Sequence, residues 1–319
     1  MHFQRTIKKE IGCRSIGLHT GRKVAMTLRP AGVDEGIVFV RKDLPGEPRI
    51  KADLDSVCET TLATTIGCNG ATVSTVEHIL SAFSGMGVDN AVVELDSFEV
   101  PIMDGSSQPF IDMLKDVGTR VQSKTKKLLV IKEAISVHGD GGAYAKFLPT
   151  SEFKITYSID FSHPVIGQQE YHIHFSDASY EKEIASARTF GFLKDLEYFQ
   201  AVGLALGGSL HNAIVLDDAK VLNKEGLRSP DEFVKHKILD AIGDLSLLGM
   251  PIIGHFVAHK AGHRLNNLLL KELVARKECW TIVDNGDRDG SKVGSRFLKI
   301  PRFGILDAVS ASASRRMSI

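Results

Sequence analysis

An order of helix, strand and helix occurs once in each half of the chain and limits its fold more than any other sequence feature. Predicted helices have apolar residues three and four positions apart, and predicted strands are short apolar runs between Gly, Pro or charged residues. The repeated elements are helix 74–84, strand Asn90–Leu95, helix Pro109–Val117, helix 230–249, strand Ile252–Ala258 and helix Asn266–Lys277. Further strands are predicted at Ala25–Leu28, Ile37–Val40, Leu128–Ile131, Ala143–Phe147 and Lys154–Ile159. This order predicts an α+β protein with two similarly built layers.

A polar, basic stretch separates the two halves. It reads RVQSKTKKL at residues 120–128, lies between apolar segments and is the candidate domain boundary. We expect an N-terminal domain over residues 1–125 and a C-terminal domain over residues 126–283. Beyond Val283 the sequence has no clear period and is rich in Gly, Ser, Arg and Asp, so we expect a poorly ordered tail over 284–319.

Composition argues against several classes of protein. The 319 residues include 39 Lys and Arg against 39 Asp and Glu, so no overall charge attracts nucleic acid or an anionic membrane. No apolar run approaches the length of a transmembrane segment. The four cysteines form no CxxC pair, and the N-terminus lacks the apolar core of a secretory signal. We therefore expect a cytoplasmic protein.

The helix at 230–249 carries start and stop signals. Ser229 is the candidate N-cap, Pro230 is at the first helical position, and Glu232 completes a capping box. Gly249 and Pro251 are expected to end the helix.

Three polar residues lie along one stripe of this helix. His236 and Asp240 are four residues apart and share a face, and Asp244 continues the stripe. One interpretation is a solvated face with i, i+4 pairing. The other is a metal site, because imidazole and carboxylate both bind Zn²⁺ and a catalytic zinc takes three protein ligands and a water. The helix offers two ligands, so the third has to come from elsewhere.

The segment VSTVEHIL at residues 73–80 also has two interpretations. Ser74 and Glu77 match a capping box, in which both side chains bond backbone N–H groups at the start of an ordinary helix. Alternatively, His78 supplies the third metal ligand and Glu77 acts as a general base. For Glu77 both interpretations stay open on the residues alone, and we expect Ser74 to cap the helix in either case.

Other candidate residues carry weaker signals. His263 follows a Gly before a helix and could act as an electrostatic stabiliser or general acid. Thr189, in the segment ARTFGF, combines a hydroxyl with two aromatics around a Gly, although a plain core turn explains this as well. Gly208 lies in a tight turn that could cradle phosphate. Lys237 is expected to point away from the ligand face, towards a ligand's phosphate or solvent.

Taken together, these segments resemble the UDP-3-O-acyl-N-acetylglucosamine deacetylase family of lipid A biosynthesis. The resemblance runs from about residue 2 to residue 283 in the family's order. The matching motifs are SIGLHTG (15–21), TLATTIG (61–67), STVEH (74–78), GVDNAVVELDS (87–97), PIMDGSSQPF (101–110), ARTFGF (187–192), GGSLHNAIVLDD (207–218), HKILDAIGDL (236–245) and GHRLNNLLL (262–270). One departure is Ala63, where some members carry a cysteine near the metal.

The resemblance implies two βααβ-type sandwich domains packed face to face, with the active site between them. It implies a zinc-dependent enzyme that removes the N-acetyl group from a small-molecule substrate, UDP-3-O-acyl-N-acetylglucosamine. An insert in the second domain would form an apolar passage for the acyl chain, and we expect a monomer.

The resemblance also implies a role for each site residue. His78, His236 and Asp240 would hold Zn²⁺, Glu77 would be the general base, and His263, oriented by Asp244, the general acid. Thr189 would help to hold the oxyanion. The expected substrate contacts are Lys237, Phe190, Phe192 and Gly208.

Two other functions are weighed against this one. A zinc peptidase is disfavoured because the chain has no HExxH motif. A catalytically inactive sugar-nucleotide-binding module would have lost a ligand or the base, and every one of those residues is present.

Overall fold

The computed structural model describes residues 3–284 and contains a mixture of helices and strands. The first half has two α-helices and ten strands. They are β1 Phe3–Ile7, β2 Ile11–Ile16, β3 Lys23–Pro30, β4 Ile37–Arg41, β5 Arg49–Lys51, β6 Val57–Glu59, β7 Thr65–Cys68, β8 Ala71–Val73, α1 Glu77–Gly85, β9 Ala91–Leu95, α2 Gln108–Val117 and β10 Thr119–Thr125.

The second half contains the longer helices. Its elements are β11 Lys127–Ile131, β12 Ile135–His138, β13 Tyr144–Leu148, β14 Phe153–Asp160, β15 Gln168–His174, α3 Asp177–Ser179, β16 Phe190–Phe192, α4 Leu193–Ala201, β17 Ile214–Leu216, α5 Glu232–Ser246, β18 Ile252–His259, α6 His263–Ala275 and β19 Trp280–Asp284. A π-helical turn, Tyr180–Ile184, continues from α3. The elements predicted from the sequence are therefore confirmed in type and order, and the α+β fold class is correct.

The strands of the two halves form separate sheets. In the first half the main sheet has the order β2-β3-β9-β4-β5, with β6-β7-β8 and β1-β10 as smaller sheets. In the second half the order is β12-β13-β18-β11-β19, and β14 pairs with both β18 and β15. Every ladder in residues 3–284 joins strands of the same half. The chain changes from one set of strands to the other at Lys126, inside the stretch predicted as the boundary.

Helices α1 and α5 connect the two halves. They pack against each other, and α5 also contacts β14, β15 and α6. A Cβ atom on Gly243 of α5 would lie only 2.0 Å from the backbone carbonyl oxygen of Glu77 at the start of α1. Because a backbone atom cannot move aside like a flexible side chain, glycine is required for this close approach. The helix contact thus fixes where the first residues of α1 lie against α5.

The capping prediction at Ser74 is wrong. Helix α1 begins at Glu77, and no side chain caps it. Ser74 instead lies in a β-bridge, where its N–H donates to Phe98 and its carbonyl oxygen accepts from Val100. Its hydroxyl accepts a hydrogen bond from Thr65. Backbone pairing with residues 98–100 therefore holds Ser74 outside the helix that the local sequence predicted it would cap.

The capping prediction at Ser229 is also wrong. Helix α5 begins at Glu232, two residues later than expected, without a side-chain cap. The buried Glu232 carboxylate accepts hydrogen bonds from the Arg188 guanidinium and from the Arg228 N–H. A buried charge has to be paired, and this requirement outweighed the capping box.

Two further expectations are refined or fall outside the described residues. Helix α6 begins at His263, three residues before the predicted start, so this histidine lies in the first helical turn. The predicted tail, apart from Asp284 in β19, lies outside residues 3–284. No helix in the described part of the chain combines the length and apolar character that a membrane crossing needs.

Candidate metal centre and acid–base pair

Three buried side chains converge where α1 meets α5. His78 comes from α1, and His236 and Asp240 come from α5, one helical turn apart. One ligand-type atom from each lies within 4.8 Å of the other two. The Nε2 atoms of His78 and His236 lie 3.5 Å and 3.3 Å from Oδ1 of Asp240. The sequence-predicted ligands are therefore brought together in one place.

The donor atoms of this group fit a metal ion. Oδ1 of Asp240 is buried and has no hydrogen-bond partner, and Nδ1 of His78 is likewise unpartnered. His236 bonds the carbonyl oxygen of Ala187 through Nδ1 at 3.0 Å, so Nδ1 carries the proton and Nε2 offers its lone pair to the site. Buried polar atoms without partners are costly, and a cation bound here would satisfy Oδ1.

The charge states also suit metal binding. Burial lowers the pKa of His236 to about 4, which leaves a neutral imidazole at neutral pH. Burial opposes the charge on Asp240, but His236 and Lys237 outweigh it and hold the pKa of this carboxyl well below its usual range. The site thus presents neutral imidazole and an ionised carboxylate, the forms that bind a divalent metal.

Glu77 lies beside this group as a buried carboxylate. Its Oε2 accepts a hydrogen bond from the Thr64 N–H at 3.0 Å, and not from the Ser74 N–H of a capping box. Burial raises the pKa of Glu77, although His263 and His78 act in the opposite direction. A carboxylate with a raised pKa is a stronger base, and Glu77 has this property next to the candidate ligands.

His263 forms a buried pair with Asp244. Its Nδ1 lies 2.8 Å from Oδ2 of Asp244, and its Nε2 lies 3.8 Å from Oε1 of Glu77. Burial works against a charged imidazole, but Asp244 and Glu77 outweigh it and raise the pKa of His263 to about 9. His263 is therefore protonated at neutral pH, and its Nε2–H is available to the site.

The candidate ligands, Glu77 and His263 line a cavity of about 360 Å³, which we call the catalytic cavity. Thr189, Phe190 and Phe192 line it as well. The rings of Phe190 and His236 lie edge to face, with 6.3 Å between their centroids. ARTFGF is thus part of the cavity wall and not only a core turn.

The Lys237 side chain points in a different direction from the one predicted from the sequence. It was expected to point away from the ligand face, yet its Nζ donates to Oδ2 of Asp240 at 2.8 Å and it lines the catalytic cavity. Asp240 attracts the ammonium because the two residues are three apart on α5. Gly208 is not among the lining residues; its turn packs against the loop at 17–21.

Sequence reasoning missed two residues of this region. His19 lines the catalytic cavity, and its Nδ1 is buried without a partner. Thr64 bonds both Glu77 and Asp244. Both lie in motifs that carry the family resemblance, SIGLHTG and TLATTIG, but no spacing or periodicity marks them individually.

A strained residue precedes α1. Thr75 has φ of 59°, a left-handed conformation that is costly for a β-branched side chain. It joins the bridge at Ser74 to the helix and also lines the catalytic cavity. Strain of this kind persists where the surroundings enforce it, commonly at functional sites, and here it sets the direction in which α1 begins.

The fold and the site together define a candidate metal-dependent hydrolase. A His–His–Asp ligand set adjoins one residue suited to accept a proton and another suited to donate one.

The chain belongs to the LpxC family: residues 4–275 match its family model, described as UDP-3-O-acyl N-acetylglycosamine deacetylase. Curated proteins with the name UDP-3-O-acyl-N-acetylglucosamine deacetylase are similar over most of their length. The protein of Syntrophus aciditrophicus is 57% identical over 316 residues, covering 98% of this chain and 100% of the relative. Those of Myxococcus xanthus and Hahella chejuensis are 50% and 52% identical, covering 92% and 88% of this chain and 93% of each relative.

Proposed function

We propose that this protein hydrolyses the N-acetyl group of UDP-3-O-acyl-N-acetylglucosamine to give acetate and UDP-3-O-acyl-glucosamine, an early step of lipid A biosynthesis. The observation that carries the proposal is the buried His78, His236 and Asp240 group next to Glu77 and His263, in a chain that matches the deacetylase family over residues 4–275. An amide hydrolase needs an activated water, a base and a separate acid, and these residues can supply all three requirements.

The proposed metal is Zn²⁺, bound by His78, His236 and Asp240. Two neutral imidazoles and one carboxylate are a common ligand set of catalytic zinc. When bound, zinc acts as a Lewis acid on the acetamide carbonyl and lowers the pKa of water to near 7. Lys237 neutralises Oδ2 of Asp240, so Oδ1 remains the ligand atom.

Glu77 and His263 divide the proton transfers. Glu77 accepts a proton from the water whose oxygen attacks the acetamide carbon. His263 donates the proton on Nε2 to the glucosamine nitrogen as the C–N bond breaks, which releases an amine and acetate. Asp244 accepts a hydrogen bond from Nδ1–H of His263 and so keeps the acidic proton on Nε2.

The remaining predicted residues contact substrate. Thr189 donates its hydroxyl to the oxygen of the tetrahedral centre, where negative charge develops. Phe190 and Phe192 form an apolar wall, which suits the sugar face and the acyl chain. Lys237 is close enough to the catalytic cavity to approach a phosphate, and Gly208 is a second candidate phosphate contact from outside the cavity wall.

Four further expectations belong to the proposal. The division into domains 1–125 and 126–283, with the site between them, is supported by separate sheets in the two halves. A cytoplasmic location is supported by four cysteines that are all free, two of them exposed. The predicted monomer and the absence of a nucleic-acid partner stay predictions.

Acetate release from the purified protein tests the function. The protein is incubated with UDP-3-O-acyl-N-acetylglucosamine, and acetate and free amine are quantified by mass spectrometry before chelation, after chelation and after Zn²⁺ is restored. We expect activity that disappears with the metal and returns with zinc. Full activity without metal contradicts the mechanism. Tight substrate binding without acetate release indicates a binding module, and cleavage of peptides in place of this substrate indicates a peptidase.

A further inference from the structure

Thr64 uses all of its polar groups in hydrogen bonds next to the catalytic cavity. It precedes β7 and is 2% exposed. Its N–H donates to Oε2 of Glu77 at 3.0 Å, and its hydroxyl donates to Oδ1 of Asp244 at 2.6 Å. Its carbonyl oxygen accepts a hydrogen bond from the N–H of Val76, the residue before α1. A single residue is therefore bonded to the base, to the partner of the acid and to the start of the helix that carries the base.

These contacts lie between two carboxylates that repel each other. Asp244 and Glu77 are both buried, and both bond the same residue, so two negative charges lie close together in this part of the molecule. Thr64 places one hydrogen-bond donor on each carboxylate. Hydrogen bonds to charged acceptors are short and strong in a buried site, so these donors hold both carboxylates in fixed orientations.

The orientation of the Asp244 carboxylate fixes the orientation of the His263 imidazole, because the two are hydrogen-bonded. Oδ1 of Asp244 bonds the Thr64 hydroxyl, whereas Oδ2 bonds Nδ1 of His263 and Nδ2 of Asn266 at 2.8 Å each. If Oδ1 loses its donor, the carboxylate can rotate and the imidazole loses its fixed direction. The Nε2 atom of His263 would then no longer be held 3.8 Å from Glu77.

We propose that Thr64 is a positioning residue that fixes the general base Glu77 relative to the His263–Asp244 pair. Its role rests on the proposed function, because it acts through residues that transfer protons in that reaction. Among the described residues, the hydrogen bonds of Thr64 go to Glu77, Asp244 and Val76, none of which is a proposed metal ligand or substrate contact. Its hydroxyl therefore affects turnover and not substrate binding.

Thr64→Val tests this role, because it removes the hydroxyl and keeps the backbone N–H to Glu77. We expect kcat to fall by about 10- to 100-fold, the range for loss of a hydrogen bond to a charged group. KM should stay within about twofold, with the metal content unchanged, because ligands and substrate contacts are untouched. Thr64→Ser restores the donor and should retain kcat within about threefold.

The neighbouring residue offers a matched control. Thr65→Val makes the same substitution one position further, where the hydroxyl donates to Ser74 and not to the acid–base groups. We expect its kcat to stay within about twofold of the unmodified protein. If Thr64→Val does not fold, Thr64→Ala and Thr64→Ser are compared in the same way.

A double-mutant cycle tests the path through Asp244. The kcat of the double variant Thr64→Val, Asp244→Asn should lie within about threefold of the kcat of Asp244→Asn alone. Both changes disturb the same hydrogen-bonded group, Thr64, Asp244 and His263, so their effects should not multiply. Losses that multiply, equal kcat for the Val and Ser variants, or unchanged kcat in Thr64→Val each overturn the proposal.

A proton NMR measurement separates this proposal from the proposed function, since it needs no substrate. The His263 Nδ1–H signal, identified by its loss in His263→Gln, should move in Thr64→Val and stay in place in Thr65→Val. A signal that does not move overturns the positioning role even when the enzyme is active. An unmodified protein that releases no acetate contradicts only the proposed function.

Discussion

Two cavities of about the same volume, roughly 360 Å³ each, border helices α1 and α5 but differ in their chemistry. The catalytic cavity lies at the start of α1. The second, which we call the helix-end cavity, is lined by the later residues of both helices, among them Leu80, Phe83, Ile242 and Leu245. Both contain buried ionisable groups, so burial of charge does not distinguish them.

Lys126 and Asp89 of the helix-end cavity form an ion pair. Nζ of the buried Lys126 lies 2.7 Å from Oδ2 of Asp89 and also donates to the carbonyl oxygen of Gly87. Asp89 accepts a further hydrogen bond from the N–H of Arg5. This is the arrangement of a structural ion pair, with both charges and their hydrogen-bonding capacity in use.

The catalytic cavity contains buried polar atoms whose hydrogen-bonding capacity is not used. Its lining includes three buried atoms without a hydrogen-bond partner: Nδ1 of His19, Nδ1 of His78 and Oδ1 of Asp240. No such atom in residues 3–284 belongs to the lining of the helix-end cavity. Cavity size and buried charge are therefore poor guides to a functional site in this protein, whereas converging ligand atoms without hydrogen-bond partners are informative.

The largest effect is expected from loss of a proposed metal ligand in the catalytic cavity, which should remove both metal and activity. We expect His78→Ala to lose most of its bound metal and at least about a thousandfold in kcat/KM, because two ligands hold a catalytic metal poorly. Metal content by mass spectrometry and acetate release provide the measurement. A variant that keeps both its metal and its activity would remove His78 from the ligand set.

Removal of the proposed base, Glu77, should affect turnover but not metal content. Glu77→Gln keeps the size of the side chain, and we expect kcat to fall by about 10²- to 10⁴-fold, the usual contribution of a general base. One metal per chain should remain bound. A variant that unfolds at ordinary temperature would instead assign Glu77 a structural role at the start of α1.

The activity should fall as pH rises through about 9. His263 has a pKa raised to about 9, so the proton that we propose it donates is present below that pH and lost above it. Asp244→Asn removes the carboxylate that most favours the charged imidazole, while burial still disfavours it. The alkaline limb of the kcat/KM profile should then move to lower pH by more than about one unit. An unchanged limb would show that another group controls it.

Disruption of the helix-end ion pair should affect stability alone. Asp89→Asn leaves a buried ammonium without its carboxylate, which typically lowers the free energy of unfolding by about 3 kcal/mol. Denaturant unfolding measures this loss. Metal content and kcat of the folded protein should stay within about twofold, and a large loss of either would contradict the distinction between the two cavities.

The parts predicted correctly from the sequence depend on local spacing. The 3.6-residue period of a helix places residues four apart on one face, and His236 and Asp240 accordingly lie together. Strands such as β4 and β11 were recognised because an apolar run between breakers has few other structures available. The ordered motifs then indicated the family, which the comparisons confirm.

The parts predicted wrongly depend on partners distant in sequence. Ser74 and Glu232 each match a local capping rule, but a bridge to Glu99 and an ion pair with Arg188 determine where they lie. Lys237 is a different case, because its partner Asp240 lies only three residues away on the same helix. At Ser74 and Glu232, contacts with distant segments outweigh a cap of about 1 kcal/mol.

Local sequence patterns were sufficient to predict the α+β class, the order of the elements and the residue types of the candidate site. The folded chain was needed to show that the start of α1 lies against Gly243 of α5, and that Thr64 bonds Asp244 across 180 positions of sequence. The two kinds of information differ in the distance over which the interactions act. Backbone periodicity is set by neighbours within one or two turns, whereas hydrogen bonds between buried groups form only after packing has brought distant segments together.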